Sequence, residues 1–186
     1  EGYSPNRFAK SLRTKESNTI GIMVEDITAF QTPRIINGIN NYVEKQGYAV
    51  ILNNMSLLEK TGNHYSELSS YQSAISKSIK LFNKTQIDGL VYVAMHDRDV
   101  MELIPKLSIP IVLVYCYDTS KNNYYVTYDN VDVIVDVAEC LMKRGNEKIG
   151  VIKGAEDSLP SQKRLKSFIT QLKKEGKELK EEYIFP

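Results

Sequence analysis

Short apolar runs rich in β-branched residues alternate along this chain with longer segments of helical periodicity. The first run, TIGIMV at 19–24, has the near-continuous apolar character of a central parallel strand. Further strands are predicted at 48–54, 87–95, 109–116 and 148–154, with a short extended piece at 124–130. Helices are predicted at 33–46, 66–84, 99–107, 131–145 and 161–176. Strands that alternate with crossover helices form parallel sheets with right-handed connections, so the predicted fold class is α/β, a parallel sheet with flanking helices.

The clearest helical pattern follows the first strand, in the segment TPRIINGINNYVEKQGY. Its apolar residues recur at helical spacing and are predicted to share one face: Ile35, Ile36, Ile39, Tyr42 and Val43. Pro33 suits the first turn, where its missing N–H would have no partner, and Gly47 suits the position after the last turn. In the helix at 66–84 the predicted inward residues are Leu68, Tyr71, Ile75, Ile79 and Phe82.

Parallel sheets of this type bind ligands beyond the carboxyl ends of their strands. A binding site is therefore expected in the segments that follow the strands, at 25–33, 94–98, 115–119 and 154–164. A Gly-rich phosphate loop and a G-x-S-x-G nucleophile elbow are absent from the sequence, and it holds only two histidines. These features predict a protein that is not an enzyme and that has neither a metal site nor a cofactor.

Composition narrows the class of protein further. The formal net charge of +1 gives no general argument for nucleic acid, although residues 1–15 set four cations against one carboxylate, a net charge of +3. Cys116 and Cys140 lack C-x-x-C partners, which favours reduced, buried thiols and a cytoplasmic protein. No apolar run approaches the roughly 20 residues of a membrane span, and the first residues show no apolar signal-peptide core.

The opening segment carries a family resemblance. The stretch YSPNRFAKSLRTKESNTIGIMVEDI resembles the junction between the DNA-binding headpiece and the effector core in transcription regulators of the lactose/galactose repressor family. Further similar motifs follow in order: IINGIN, IDGLVYVA, IPIVLV, VTYDN, LMKRGNEKIGVI and RLKSF. The resemblance implies a periplasmic-binding-protein-like fold of type I with two subdomains, the second of them incomplete.

The same resemblance implies a domain organisation. Residues 1–17 would be a hinge to a helix-turn-helix headpiece that is not in this sequence, 18–129 the N-terminal effector-binding subdomain, and 130–186 the start of the C-terminal one. Within the hinge, Leu12 would wedge into the minor groove of operator DNA when two copies pair. Asn6 and Ala9 would allow close approach to the groove. Phosphate contacts would come from Arg7, Lys10 and Arg13. On composition alone, the segment is equally a frayed basic terminus or a short helix docked on its own core.

The effector-binding residues implied by the resemblance follow the strands, with one on a later helix: Asp26, Phe30, Gln31, Thr32, His96, Tyr115 and Arg164. Each has a plainer interpretation. Thr32 suits the N-cap of the helix that follows, and His96 is equally a residue of the site rim. Arg164 is equally a solvated arginine. Asp97 and Asp99 are expected to cap the helix at 99–107, and Asp129 and Asn130 to be structural.

The implied function is a ligand-responsive regulator, a repressor, whose core binds a small, sugar-like effector between two subdomains. The partners would be operator DNA, the effector and a second copy of the chain in a homodimer, with no membrane. Helices 33–46 and 66–84 would form the dimer surface. The alternatives are a solute-binding protein of the same core fold and a fragment that acts only as a dimerisation or ligand-binding module.

Overall fold

The structure is a computed structural model that describes residues 17–61, 68–120 and 123–186. The chain divides into two compact units, with the border between Thr127 and Tyr128. The hinge residues predicted to contact DNA, from Asn6 to Arg13, lie outside the described residues. The assignment of 18–129 and 130–186 as the two effector-binding subdomains stays a prediction.

The first unit is built on one parallel sheet with helices on both faces. Its strands are Thr19–Val24 (β1), Ala49–Asn54 (β2), Gly89–Val93 (β3), Ile111–Val114 (β4) and Tyr124–Val126 (β5). Its helices are Thr32–Lys45 (α1), Leu57–Thr61 (α2) and Leu68–Thr85 (α3). Every strand pair is parallel, and the strand order is β2-β1-β3-β4-β5. The predicted α/β fold class, a parallel sheet with flanking helices, is confirmed.

The alternation of side chains along β1 explains why both faces are covered. Met23 points to the face that α3 covers, where Tyr71, Ile75 and Phe82 are buried as predicted. Ile22 and Val24 point to the other face and pack against three isoleucines of α1: Ile35, Ile36 and Ile39. Because both faces of the central strands are dry, the hydrophobic run of β1 is nearly continuous in sequence.

Gly21 sets how closely α3 packs on the sheet. A Cβ at this position would lie 2.6 Å from Cδ1 of Ile87 and 2.9 Å from Cε1 of Phe82. Such distances are shorter than van der Waals contact, so any side chain would push the helix or the Ile87 segment away. Glycine therefore fits at this position for reasons of space, since its φ angle is not in the left-handed region.

Two predictions about the extent and inward face of the helices in this unit are wrong. Tyr42, expected on the inward face of α1, is 67% exposed, because the helix turns that side of its last two turns away from the sheet. The helix expected at 99–107 is a single turn, in which Leu103 and Ile104 donate to the carbonyl of Val100. Its apolar spacing imitates a helix, but Pro105 has no N–H to donate and disfavours helical geometry in the residue before it.

The second unit has a small core between two helices and a two-stranded parallel sheet. The elements are Asp132–Lys143 (α4), Val151–Ile152 (β6), Leu159–Lys174 (α5), a 3₁₀ turn at Glu181–Tyr183 and Ile184–Phe185 (β7). Ala138 of α4 and Phe168 and Leu172 of α5 form the buried centre. Strand β6 is shorter than the predicted 148–154, because it pairs only with the two residues of β7 among those described.

The two cysteines differ in their environment. Both thiols are free, Cys116 is buried and Cys140 is exposed, so the expectation of burial is right for only one of them. Burial raises the pKa of the Cys116 thiol, and the negative charge of Glu25 raises it further. Among the described helices, none combines the length and the apolar composition that crossing a bilayer requires.

Candidate functional site

The strand order of the first unit defines one crevice. Strand β1 pairs with β2 on one side and β3 on the other, so the connections leave it in opposite directions. At such a reversal the segments after the two strands diverge and leave a crevice at their carboxyl ends. Here those segments are 25–31 after β1 and 94–99 after β3. The predicted effector residues of this unit, from Asp26 to Tyr115, follow β1, β3 and β4 along this edge of the sheet.

Asp26 fixes the loop after β1. Its Oδ1 accepts hydrogen bonds from the backbone N–H and the hydroxyl of Thr28, at 2.8 and 2.5 Å. Its Oδ2 accepts from the backbone N–H of Leu58 at the start of α2, at 3.1 Å. Burial raises the pKa of Asp26, but these hydrogen bonds and the positive charge of Lys60 outweigh burial and lower it overall. The carboxylate is therefore ionised at neutral pH and already bonded within the protein.

The residues between β1 and α1 divide into exposed and buried positions. Phe30 is 88% exposed, so its ring stands in solvent at the carboxyl edge of the sheet. Gln31 occupies the N-cap position of α1, and its side chain makes no capping hydrogen bond. Thr32, which the alternative interpretation assigned to that cap, is the first residue of the helix and is buried. The ring of Phe30 is therefore the most accessible apolar group of this loop, while Gln31 is half-buried.

Glu25 was missed by the sequence analysis, and it is fully buried directly after β1. Its Oε1 accepts from the hydroxyl of Tyr92 and from Nη2 of Arg98, and its Oε2 accepts from the backbone N–H of Met95 at 2.8 Å. The guanidinium carbon of Arg98 lies 4.1 Å from the centre of the Tyr71 ring. The sequence contained one indication of this pair: Glu25 and Arg98, which carry opposite charges, each follow a predicted strand. The structure shows that these two strands are neighbours in a parallel sheet.

The charges in this buried network reinforce one another. Burial lowers the pKa of the Arg98 guanidinium, but the charge of Glu25 and the contacts with Tyr92 and Tyr71 raise it above its usual value. Burial raises the pKa of Tyr92 strongly, and the charge of Glu25 raises it further. Tyr92 therefore keeps its proton and Arg98 its charge throughout the physiological range, and both act as hydrogen-bond donors to Glu25.

The segment after β3 serves mainly to connect strands. His96 is half-buried, and Asp97 accepts a hydrogen bond from the hydroxyl of Thr127 at 2.9 Å. Asp99 accepts from the backbone N–H of Met101 at 2.9 Å and from the hydroxyl of Thr119 at 2.5 Å. The expectation that the two aspartates cap a helix is wrong, because the helix does not form; they hold loops instead. His96 lies in the segment directly after β3, at the carboxyl edge of the sheet.

Tyr115 follows β4 in a conformation that is uncommon for a bulky residue. Its φ angle is 61°, in the left-handed region, and its backbone N–H donates to the carbonyl of Val126 at 2.7 Å. This backbone geometry costs on the order of 1–3 kcal/mol and is found most often at functional sites. The side chain is half-buried at the same edge as His96.

Arg164 lies on α5 in the second unit. Its Nε donates to Oδ1 of Asn130 at 2.8 Å, and Asn130 is buried. The neighbouring Asp129 accepts from the backbone N–H groups of Asp132 and Val131, both at 2.9 Å, and these bonds lower its pKa. Asp129 and Asn130 are thus used structurally, as expected.

A cavity of about 400 Å³ in the second unit places Arg164 beside other polar groups. Lys153, Ser158 and Ser161 share its lining: Lys153 follows β6, Ser158 is the N-cap of α5 and Ser161 lies in the first turn of α5. Lys153 also pairs with Glu156 at 2.7 Å. Most of the cavity lining is apolar, and the two cations and two hydroxyl groups are its polar part, the part suited to a hydroxylated or anionic ligand.

The parallel sheet with helices on both faces defines an α/β core of the kind found in periplasmic binding proteins. The chain belongs to the family described as periplasmic binding proteins and sugar binding domain of LacI family, whose model matches residues 17–185. The resemblance inferred from the sequence is confirmed by this match.

Three relatives illustrate the similarity. The HTH-type transcriptional regulator RegA of Clostridium saccharobutylicum is 29% identical over 159 residues, which is 85% of this chain and 44% of RegA. The ribose operon repressor of Lactococcus lactis is 26% identical over 181 residues, 97% of this chain and 50% of the repressor. A solved Rhizobium etli structure, described as a LacI-family regulator, superposes with a TM-score of 0.70 at 25% identity, covering 90% of this chain and 55% of that one. The chain therefore spans about half the length of the curated relatives that it matches.

Proposed function

We propose that this chain is the effector-binding core of a ligand-responsive, DNA-binding transcription regulator that acts as a repressor. The observation that supports it most strongly is the similarity, over most of the chain, to proteins named as an HTH-type regulator and an operon repressor. The junction-like motif from Tyr3 to Ile27 points the same way. A regulator of this kind acts in the cytoplasm, where the DNA is, and it has no catalytic role.

The proposed effector is a sugar or a sugar derivative. An exposed aromatic ring at Phe30 suits the apolar face of a sugar, and the amide of Gln31 suits its hydroxyl groups. His96 and Tyr115 extend the same edge, while Arg164 and its cavity offer donors in the second unit. Asp26 is expected to act more by holding the loop than by direct contact, since its two oxygens are already bonded.

The proposed control follows from the family resemblance. The effector contacts both subdomains, and its binding changes the geometry of a homodimer and so the pairing of two hinge helices on operator DNA. In this scheme Leu12 wedges into the minor groove, with Asn6 and Ala9 against the groove. Phosphate contacts come from the hinge cations Arg7, Lys10 and Arg13.

The proposed dimer surface includes the exposed sides of α1 and α3. Tyr42 of α1 and Leu81 of α3 are 67% and 43% exposed, and Leu52 of the edge strand β2 is 40% exposed. Large exposed apolar side chains are typical of subunit contacts. This surface is made by the helices that the sequence analysis assigned to dimerisation.

Operator binding by the intact protein tests the DNA-binding part of the proposal. Leu12→Ala should weaken binding to operator DNA at least about tenfold, because the wedge is lost. Ser11→Ala is the matched control, since it changes the neighbouring hinge residue without changing charge and should leave the affinity unchanged. Equal operator affinity of both variants and the wild type in gel-shift titrations would remove the hinge from the mechanism.

Ligand capture tests the effector part. Native mass spectrometry of gently purified protein, followed by thermal shifts with D-ribose, sucrose and a nucleobase, should reveal a bound sugar or a stabilising one. A sugar that binds without changing operator affinity would favour the solute-binding alternative. A nucleobase that binds in place of the sugars would overturn the sugar assignment.

A further inference from the structure

The buried pair of Glu25 and Arg98 joins the segments after β1 and β3, which flank the reversal of strand order. Glu25 is the residue before Asp26, and its backbone N–H donates to the carbonyl of Val93 at the end of β3, at 3.0 Å. Its Oε2 accepts from Met95, the residue before His96, at 2.8 Å. The segments after β1 and β3 are thus joined through one carboxylate.

Arg98 extends the connection to the next strand. Its carbonyl accepts from the backbone N–H of Tyr117 at 3.0 Å, and the carbonyl of Tyr117 accepts from Val100 at 2.9 Å. Tyr117 lies two residues after Tyr115, and Arg98 lies two residues after His96. The side-chain pair therefore joins the segment of Asp26 to that of His96, and the backbone of Arg98 joins the segment of Tyr115 to them.

The pair is poorly suited to adding stability alone. Both side chains are almost completely removed from solvent, at 0% exposure for Glu25 and 6% for Arg98, and this removal is costly for charged groups. Within the described part of the chain, Nε and Nη1 of Arg98 and the hydroxyl of Tyr71 are buried without a hydrogen-bond partner. Well-packed neutral residues in place of buried ion pairs are often as stable or more stable, so stability gives little reason for charges here.

We propose that the Glu25–Arg98 pair is the positioning element of the effector site, holding the segments after β1 and β3 in one fixed arrangement, to which the backbone of Arg98 joins the segment after β4. This inference rests on the proposed effector-binding function. Glu25 and Arg98 are positioning residues because they act through the segments that contain Asp26, His96 and Tyr115. A carboxylate after β1 that accepts from three donors within residues 92–98 fixes the distance between the two segments more narrowly than apolar packing does.

The test separates positioning from stability with a neutral replacement of the pair. Glu25→Gln alone leaves the Arg98 charge without its partner and should lower the unfolding midpoint by roughly 10 °C. In Glu25→Gln/Arg98→Met, the new amide oxygen can accept from Met95 and the new amide N–H can donate to Tyr92. The double variant should therefore recover a midpoint close to that of the wild type.

Hydrogen exchange and ligand affinity are then compared between the wild type and the double variant in the intact protein. Amides at 26–32 and 94–99 should exchange at least about tenfold faster in the double variant, while the amides of β1 and β3 keep their rates. Affinity for D-ribose, used as the probe, should fall by a similar factor. The matched control is Glu139→Gln/Lys143→Met, which removes a surface pair and should change none of these values.

Each outcome decides the inference. Wild-type exchange at both segments in the double variant overturns it, whatever the ribose affinity. Faster exchange in the double variant supports the positioning role of the pair even if the wild type binds no ribose. Failure of the wild type to bind ribose counts only against the proposed sugar effector. If the double variant does not fold, Arg98→Lys replaces it, since this variant keeps the charge but loses the planar fork; unchanged exchange there also overturns the inference.

Discussion

Arg164 and Asn130 are joined by a hydrogen bond from Nε to Oδ1 at 2.8 Å, which ties the first half of α5 to a residue two positions before the start of α4. Asn130 is buried, so it presents a fixed acceptor to an arginine that is otherwise exposed. The bond limits the directions that the guanidinium can take. A long, exposed side chain held in this way loses less conformational entropy when it binds a ligand than a free one does.

Arg164→Met is therefore expected to weaken effector binding roughly tenfold, because the variant loses the donors and the positive charge. Lys166→Met is the matched control, since it removes an exposed cation from the same helix outside the Arg164 cavity. Isothermal titration with the sugar that stabilises the wild type measures both. Equal affinities for the two variants would support the interpretation of Arg164 as a solvated surface residue.

Asp26→Asn should destabilise the first unit by about 1–3 kcal/mol at pH 7, because an amide nitrogen cannot accept from the N–H of Leu58. The pKa of Asp26 is lowered in the folded state, so its contribution is complete above the unfolded-state pKa of about 3.9 and is lost as the pH falls through the folded value. The difference from the wild type should therefore shrink as the pH falls from about 5 to about 2.

Urea denaturation at several pH values measures that difference. Asp136→Asn, the same chemical change at an exposed position of α4, should leave the free energy of unfolding within about 0.5 kcal/mol of the wild type. A gap between Asp26→Asn and the wild type that stays constant down to the lowest pH would contradict the role given to the ionised carboxylate.

Gly21→Ala should destabilise the protein by about 1–3 kcal/mol, because the added methyl group meets Ile87 and Phe82 at less than van der Waals distance. Gly38→Ala offers the opposite case within the same unit. Gly38 lies in the middle of α1 with no atom within 4 Å of the added methyl group, so this variant should gain about 0.5–1 kcal/mol. Urea midpoints with unchanged slopes measure both, and a shift of the same sign in the two variants would contradict the packing argument.

Tyr42→Lys should weaken the proposed homodimer at least about tenfold, because it places a charge in an apolar contact. Tyr124→Lys is the matched control: Tyr124 is 84% exposed and lies on β5, at the opposite edge of the same sheet from β2. Sedimentation velocity over a range of concentrations measures the dissociation constants. Loss of the dimer only in Tyr124→Lys would move the dimer surface to the other edge.

The parts of the fold that burial controls could be predicted from the sequence. Strand β1 has the predicted bounds, and the inward residues of α3 that the structure describes are buried. Such positions can be predicted because a position buried from water tolerates few types of residue. The helix predicted at 99–107 shows the opposite case. Val100, Leu103 and Ile104 are all buried, as their helical spacing predicts, but a single turn is enough to bury them. Pro105 prevents the chain from forming further helical turns.

The candidate site was harder to predict because charge patterns in sequence do not show which partners meet. Glu25 and Arg98 are separated by 73 residues, and each resembles an ordinary surface charge after a strand. Only the parallel pairing of β1 with β3 brings them together. Single-residue assignments such as Phe30 and Arg164 came from a family resemblance, and the structure adds their exposure and their neighbours.

Strand β5 has a consequence for handling the protein. It is an edge strand in the described sheet, its three residues are Tyr124, Tyr125 and Val126, and all of them are exposed. An uncharged aromatic strand edge is a template onto which strands of other molecules can add. Concentrated samples of this chain alone are therefore expected to aggregate through β5. A charged residue introduced into β5 would oppose the addition of strands from other molecules during expression and crystallisation.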